Sequence, residues 1–291
     1  MNGFLIIDKP KGITSSACVY KLREKISDKK IGHCGTLDPL ASGLLPIGIG
    51  EATKFNSYIS DLSKEYKVGV LFGVKTTTGD IEGEVISKSK INFTKKELYK
   101  ALESLTGEQL QTPPMYSALK VKGKPLYSWV RKGIYLRRKA RKILINSIRL
   151  ESIEEESVIL TVSCSKGTYI RSLAEILGDL LGTVATVKSL RRTRIGNLAK
   201  SNLLTLDLIN IDTLKQFLIP PEEMLQHLTK VDLNEEDIKK IRNGLSVDYN
   251  EPLEKKEIIR IYEEKGSFVG IGQVNIPLKV SPKRLLNTKN T

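Results

Sequence analysis

At 291 residues, with 40% hydrophobic and 27% charged side chains, the chain has room for one large domain and one small one, each with its own core. Lys and Arg outnumber Asp and Glu 47 to 33, a net charge of +14 that points to a polyanionic partner. The longest apolar runs, such as residues 44–49, are broken by Pro or Gly and too short to cross a bilayer, and the start lacks a signal-peptide layout, so the expected location is the cytoplasm.

Residues 2–7 read as a short apolar strand that Lys9-Pro10-Lys11-Gly12 ends, because Pro cannot donate to a ladder and Gly permits a tight turn. Thr14 or Ser15 then caps a helix to about residue 27, with Val19, Leu22 and Ile26 on one face. The loop that follows, residues 32–43, is built around one carboxylate, Asp38, with His33 almost the only other polar group beside it. Residues 65–72, 82–86, 142–150 and 157–164 alternate like half-buried strands, the last two joined by an acidic turn. Thr94-Lys95-Lys96-Glu97 is a capping box for a helix that stops at Gly107, and residues 168–181 form another stopped at Gly182. Strands that come in hairpin-like pairs predict an α+β fold with a mixed, largely antiparallel sheet. Beyond the Pro220-Pro221 break, short strands over 257–261 and 267–274 predict a separate, small β-rich domain, which divides the chain into 1–227 and 228–291.

The charge is unevenly spread. Residues 111–142 hold ten basic side chains and no acid, with Tyr116, Tyr127, Trp129 and Tyr135 among them. Cations neutralise phosphates and aromatic faces stack on unpaired bases, so this stretch reads as a nucleic-acid surface in preference to a solvated basic face. A second run over 184–200, with Lys188, Arg191, Arg192, Arg194, Lys200 and no acid, reads equally as a solvated face or as more of that surface. Residues 222–264 are net acidic, which leaves the binding charge in the first two thirds.

Asp38 stands before Pro39, so it is either a common turn element or a carboxylate positioned for chemistry. The apolar run after it and the basic, aromatic surface elsewhere favour chemistry, in which a carboxylate serves as nucleophile, base or stabiliser of a cationic sugar carbon. A second acid for paired-carboxylate hydrolysis is not close by, and no phosphate-cradling glycine loop, zinc-deaminase ligand set or dinucleotide fingerprint occurs, so the reaction is expected to need no cofactor. Three cysteines and two histidines lack the spacing of a metal site or a disulfide framework. His33 reads as a packed or a functional histidine, and Tyr66 as strand packing or part of a site. Tyr169 and Arg171 lie where a strand hands over to a helix N-terminus, and an arginine there opposes the helix dipole, which calls for a partner elsewhere.

Four motifs, Lys9-Pro10-Lys11-Gly12-Ile13-Thr14-Ser15, residues 32–43, Ser165-Lys166-Gly167-Thr168-Tyr169-Ile170-Arg171 and Leu190-Arg191-Arg192, resemble in order and spacing the TruB family of tRNA pseudouridine synthases. The resemblance covers essentially the whole chain, and Met115-Tyr116-Ser117-Ala118-Leu119-Lys120 looks like the family's RNA-gripping thumb insertion, over about residues 111–142. It implies a pseudouridine synthase catalytic domain over 1–227 and a PUA-like RNA-binding domain over 228–291, converting uridine 55 in the T arm of tRNA to pseudouridine without a cofactor or metal. It further implies that Asp38 is the catalytic nucleophile, that Arg171 pairs with it, and that Tyr66 stacks on the flipped uracil. By the same carry-over, His33 fills the vacated stack, Tyr169 and Leu190 line the pocket, and Lys9 and Lys120 bind the RNA. The implied partner is tRNA, with no obligatory protein partner and a monomeric chain. Cys34 stands where the family commonly has Thr, so a local hydrogen bond is expected to be lost or weakened. The competing readings are an RNA chaperone without catalysis and the related RNA-guided synthase of ribonucleoprotein particles; a DNA-binding reading lacks a helix-turn-helix or zinc-finger signature.

Overall fold

Eight strands from the first two hundred residues form one sheet, and helices cover one of its two apolar faces. The computed structural model describes residues 1–26, 30–198, 203–249, 253–275 and 279–287. In chain order, β1 (Gly3–Lys9), α1 (Ser15–Lys25), β2 (Ile31–His33) and β3 (Ser42–Ile49) lead through α2 (Asn56–Ser60) to β4 (Lys64–Phe72). A small hairpin, β5 (Val74–Thr76) and β6 (Val85–Lys88), precedes α3 (Lys95–Ser104) and β7 (Gly107–Gln111). The basic segment then forms β8 (Lys120–Val121), β9 (Lys124–Pro125) and α4 (Leu126–Val130), before β10 (Arg141–Ile153), β11 (Ser157–Cys164), α5 (Ile170–Leu180) and β12 (Ala185–Ile195).

The large sheet has eight strands in the order β1-β3-β12-β4-β11-β10-β7, with β2 on the side of β3. Its one parallel pairing is β12 with β3 and the others are antiparallel, so the sheet is mixed and largely antiparallel, as the sequence predicts. Thr14 caps α1 by accepting from Ala17 N (3.0 Å), and Thr94 and Glu97 form the expected box at α3. Leu22 of α1, Leu98 and Leu102 of α3, and Leu173 and Leu177 of α5 fill one core against Leu5, Ile47, Val68, Val70 and Leu160 of the sheet. The helix expected to reach residue 27 ends at Lys25; residue 27 lies outside the described residues. The strand expected over 82–86 starts later, at Val85, because Asp80 Oδ1 accepts from Thr78 Oγ1 (2.7 Å) and Glu82 N (3.1 Å) and turns the chain there.

The run over 184–200 is a strand whose charges are largely paired within the protein. Residues 185–195 are the strand β12 near the middle of the sheet, flanked by β3 and β4. Arg191 pairs in two contacts with Asp8 (2.7 and 3.0 Å), Arg194 with Glu65 (3.4 Å) and Lys188 with Glu154 (3.3 Å). Arg192 is 1% exposed and donates to the carbonyls of Leu44 (2.7 Å) and Gly35 (3.3 Å). Residues 199 and 200 lie outside the described residues.

The segment over 111–142 stands apart from this core. Its own consists of Met115, Leu126 and Val130, with Tyr116, Val121 and Leu136 against them. At the far end of the chain, β13 (Thr229–Leu233), β14 (Val247–Asp248), β15 (Ile258–Glu263), β16 (Phe268–Asn275) and β17 (Lys279–Leu285) make a second sheet. Ile271 and Phe268 of that sheet join Phe4, Ile6, Phe55, Met224 and Leu225 in a cluster on the face of the large sheet opposite α5. Among the described residues no helix is long and apolar enough to cross a membrane.

Candidate active site

The Asp38 loop is hung between three strands and braced from beneath. β3 starts four residues after Asp38 and runs antiparallel to β1 and parallel to β12, with Gly43 opposite both Lys9 and Arg192. Gly43 has a φ of +103°, and a Cβ there would stand 2.2 Å from Arg192 O, so only glycine lets β12 come this close. Ser15 Oγ accepts from Leu37 N (2.8 Å) and donates to Leu37 O (3.1 Å), and Gly12 N donates to Pro39 O (2.8 Å). These bonds clamp the residues on either side of Asp38 and leave its carboxylate one-third exposed.

Arg171, in the first turn of α5, supplies the partner its helix position calls for. Its Nε donates to Asp38 Oδ2 (2.8 Å), Nη1 to Thr78 O (2.6 Å) and Nη2 to Tyr116 O (2.7 Å). Asp80, buried beside it, has Oδ2 3.8 Å from the same Nε. Asp38 opens into a cleft of about 270 Å³, whose walls also include Tyr66, Tyr169, Leu190, Lys64, Arg141 and Arg192. That volume lies near the lower end of the roughly 300–1,000 Å³ of small-molecule sites, room for one nucleoside. Burial pushes the Tyr66 phenol upward, and it lowers the Lys64 ammonium to about 8, with the Arg192 charge adding to the fall.

The structure thus lines one cavity with Asp38, Tyr66, Tyr169 and Leu190, and sets Arg171 behind it on the Asp38 carboxylate. Three further expected site residues also lie off that wall. Lys9 is fully buried and its ammonium donates to the carbonyls of Ile13 (2.6 Å), Pro10 (2.9 Å) and Pro39 (3.4 Å), so it braces the loop from inside and is not free to bind RNA. His33 ends β2 with Nδ1 buried and unpartnered, its basicity lowered first by burial and then by Arg192. Lys120 is exposed in β8, next to Ala118 and Leu119, which do reach the cleft. The Cys34 thiol is buried and donates to Asn56 Oδ1 (3.3 Å), so a hydrogen bond survives there in a weaker form. Asp80, beside Arg171, and Gln111, whose side chain bonds both Tyr169 N and Tyr169 O, support the site without lining the cleft, and sequence reasoning missed both. A lone acid in a turn and a neutral amide at a strand end carry no local signal of a role.

Two family models match the chain: "TruB family pseudouridylate synthase (N terminal domain)" over residues 23–170 and "Pseudouridine synthase II TruB, C-terminal" over 229–286. A protein of Chromobacterium violaceum named tRNA pseudouridine synthase B is 41% identical over 290 residues, spanning 98% of this chain and 95% of that protein. One of the same name from Neisseria meningitidis is 38% identical over 292 residues, spanning 99% and 95%. Among solved structures, a chain in the crystal structure of a Cbf5-Nop10-Gar1 complex superposes with a TM-score of 0.76 at 25% identity, over 97% of this chain and 84% of that one.

Proposed function

The chain belongs to the TruB family of pseudouridylate synthases, and from that premise we propose that it isomerises uridine 55 in the T arm of tRNA to pseudouridine, with Asp38 as the catalytic carboxylate. The observation that carries this is the aimed carboxylate: Asp38 faces a nucleoside-sized cleft and is held by an arginine whose other donors are committed to backbone carbonyls.

A base in a folded T loop is stacked, so it must be flipped out, at a cost of a few kcal/mol that RNA contacts offset. The ring then lies between Tyr66 and the Leu190 and Tyr169 side of the cleft. The C1′–N1 bond breaks, the uracil turns, C1′ bonds to C5, C5 loses its proton and N1 gains one. Asp38 attacks or stabilises the carbon between the two bonds, and Arg171 keeps its oxygen pointed there. A bound partner in place of substrate chemistry gives no reason to aim a carboxylate this way, which sets the chaperone reading aside. The same proposal has the chain acting alone as a cytoplasmic monomer, without guide RNA or partner protein.

The test is release of tritium from C5-labelled uridine in a bare T-arm stem-loop by the purified chain. Wild type is expected to release it without additions. Asp38→Asn is expected to lower the rate by at least roughly a thousandfold, about 4 kcal/mol of barrier, with unchanged RNA affinity. Turnover retained in that variant removes Asp38 from the role assigned to it.

A further inference from the structure

The segment over 111–142 leaves the sheet at the end of β7 and returns at the start of β10, where Gln111 and Arg141 face each other across the ladder. A core of three buried side chains is small for a segment of this length, so its pose depends on where its stems are held. Both stems are held by one short stretch. The Gln111 side chain, 1% exposed, accepts from Tyr169 N (2.8 Å) and donates to Tyr169 O (3.0 Å), as a neighbouring strand would. Arg141 lays its guanidinium over the Tyr169 ring, 5.1 Å from the centroid, and donates to Gly167 O. Within the segment, Tyr116 O accepts from Arg171 Nη2 (2.7 Å). All of these contacts fall on residues 167–171, the stretch that delivers the arginine of the active site.

We propose that the thumb-like segment reports its own seating on RNA to Asp38 through Arg171, with Gln111 as the positioning residue at the joint; the inference rests on the isomerase reading above. A guanidinium is planar and rigid, so fixing Nη1 and Nη2 fixes the direction of Nε. Thr78 O holds one of those nitrogens and Tyr116 O the other. When the segment lifts, Nη2 loses its acceptor, the fork turns, and the Nε bond that orients Asp38 Oδ2 is no longer enforced. RNA that seats the segment completes the site, and RNA gripped elsewhere leaves it incomplete. The segment therefore contributes to the chemical step as well as to affinity.

Single-turnover tritium release at saturating T-arm stem-loop, with a filter-binding Kd alongside, separates those contributions. Gln111→Ala is expected to lower the rate at saturation about tenfold, equivalent to about 1.4 kcal/mol of barrier, with Kd unchanged. Replacing residues 113–138 by a Gly-Ser linker, with Gln111 and Arg141 retained, is expected to weaken binding and also to lower the rate at saturation. Gln111→Glu keeps the acceptor for Tyr169 N but loses the donor to Tyr169 O while ionised, so its rate relative to wild type is expected to recover as pH falls and the new carboxyl gains a proton. Urea midpoints at the same pH values identify a merely structural role, which would move stability in step with the rate. Wild-type rates at saturation in both Gln111→Ala and the linker chain, each folded by far-UV circular dichroism, overturn the inference. No release by wild type overturns the isomerase reading itself, a distinct failure.

Discussion

Two stretches of this chain look alike in sequence and end in opposite places. Residues 111–142 and 184–200 are both basic and free of acids, yet the first stands off the sheet while β12, from the second, runs through its middle. The difference lies in what neutralises the charge. Arg191, Arg194 and Lys188 meet Asp8, Glu65 and Glu154, which come from remote parts of the chain, and Arg192 is satisfied by carbonyls. The outer segment instead sets Lys124 over Trp129 and Arg131 over Tyr127, and among the described residues its one ion pair is Lys142 with Glu108, at 3.9 Å. A local count of charge reports composition; long-range pairing decides how much of that charge is left without a partner in the fold.

The buried side of this contrast should give the largest effect when broken. Arg192→Ala leaves a cavity and orphans the carbonyls of Leu44 and Gly35, so it is expected to cost about 2–4 kcal/mol of stability in urea titration. Arg192→Lys should recover only part of it, since one ammonium cannot reproduce the fork. A variant with wild-type stability and weakened RNA binding would move Arg192 to the RNA-facing side.

The exposed side should respond in the reverse sense. Replacing Lys120, Lys122 and Lys124 together by Ala is expected to leave the urea midpoint in place and to weaken T-arm binding roughly tenfold at low salt. The slope of log affinity against log salt should fall by roughly 0.7–0.9 for each phosphate that the protein no longer neutralises. An unchanged slope would mean that these lysines do not touch phosphate.

The legible parts of the molecule were those whose signal is local. The strand over Ser157–Cys164 and the Thr94–Glu97 box carry their whole pattern within a few residues, and Asp38 stands out because its neighbours are so apolar. β3 and β12 carry no local strand signal. β3 is buried along nearly its whole length and shows no alternation, and the arginines of β12 disguise a strand whose buried residues are Ala185, Thr186, Val187, Leu190, Arg192 and Ile195. Lys9 illustrates the limit of a motif: the resemblance marks the position, while only the fold shows that its ammonium is consumed by carbonyls of the Asp38 loop.

Whether burial of charge near the cleft is as complete as the geometry has it is open to a pH titration. Lys64 opens β4 and donates to the carbonyls of Ser60 and Leu62, with burial as the main cause of its fall from 10.5 to about 8. Below pH 8 the folded and unfolded chains both carry this proton, and the fold bears the full cost of a buried ammonium. Between 8 and 10.5 the folded chain releases the proton first, so the unfolded chain binds more protons and stability from this group rises with pH. Lys64→Met removes the titration. The stability of wild type relative to that variant is therefore expected to climb across this window, by at most about 1.4 kcal/mol per pH unit, in urea titrations at stepped pH. Parallel curves would mean that Lys64 keeps its ordinary basicity in the fold, and that the Lys64 side of the cleft is as wet as the basic segment outside it.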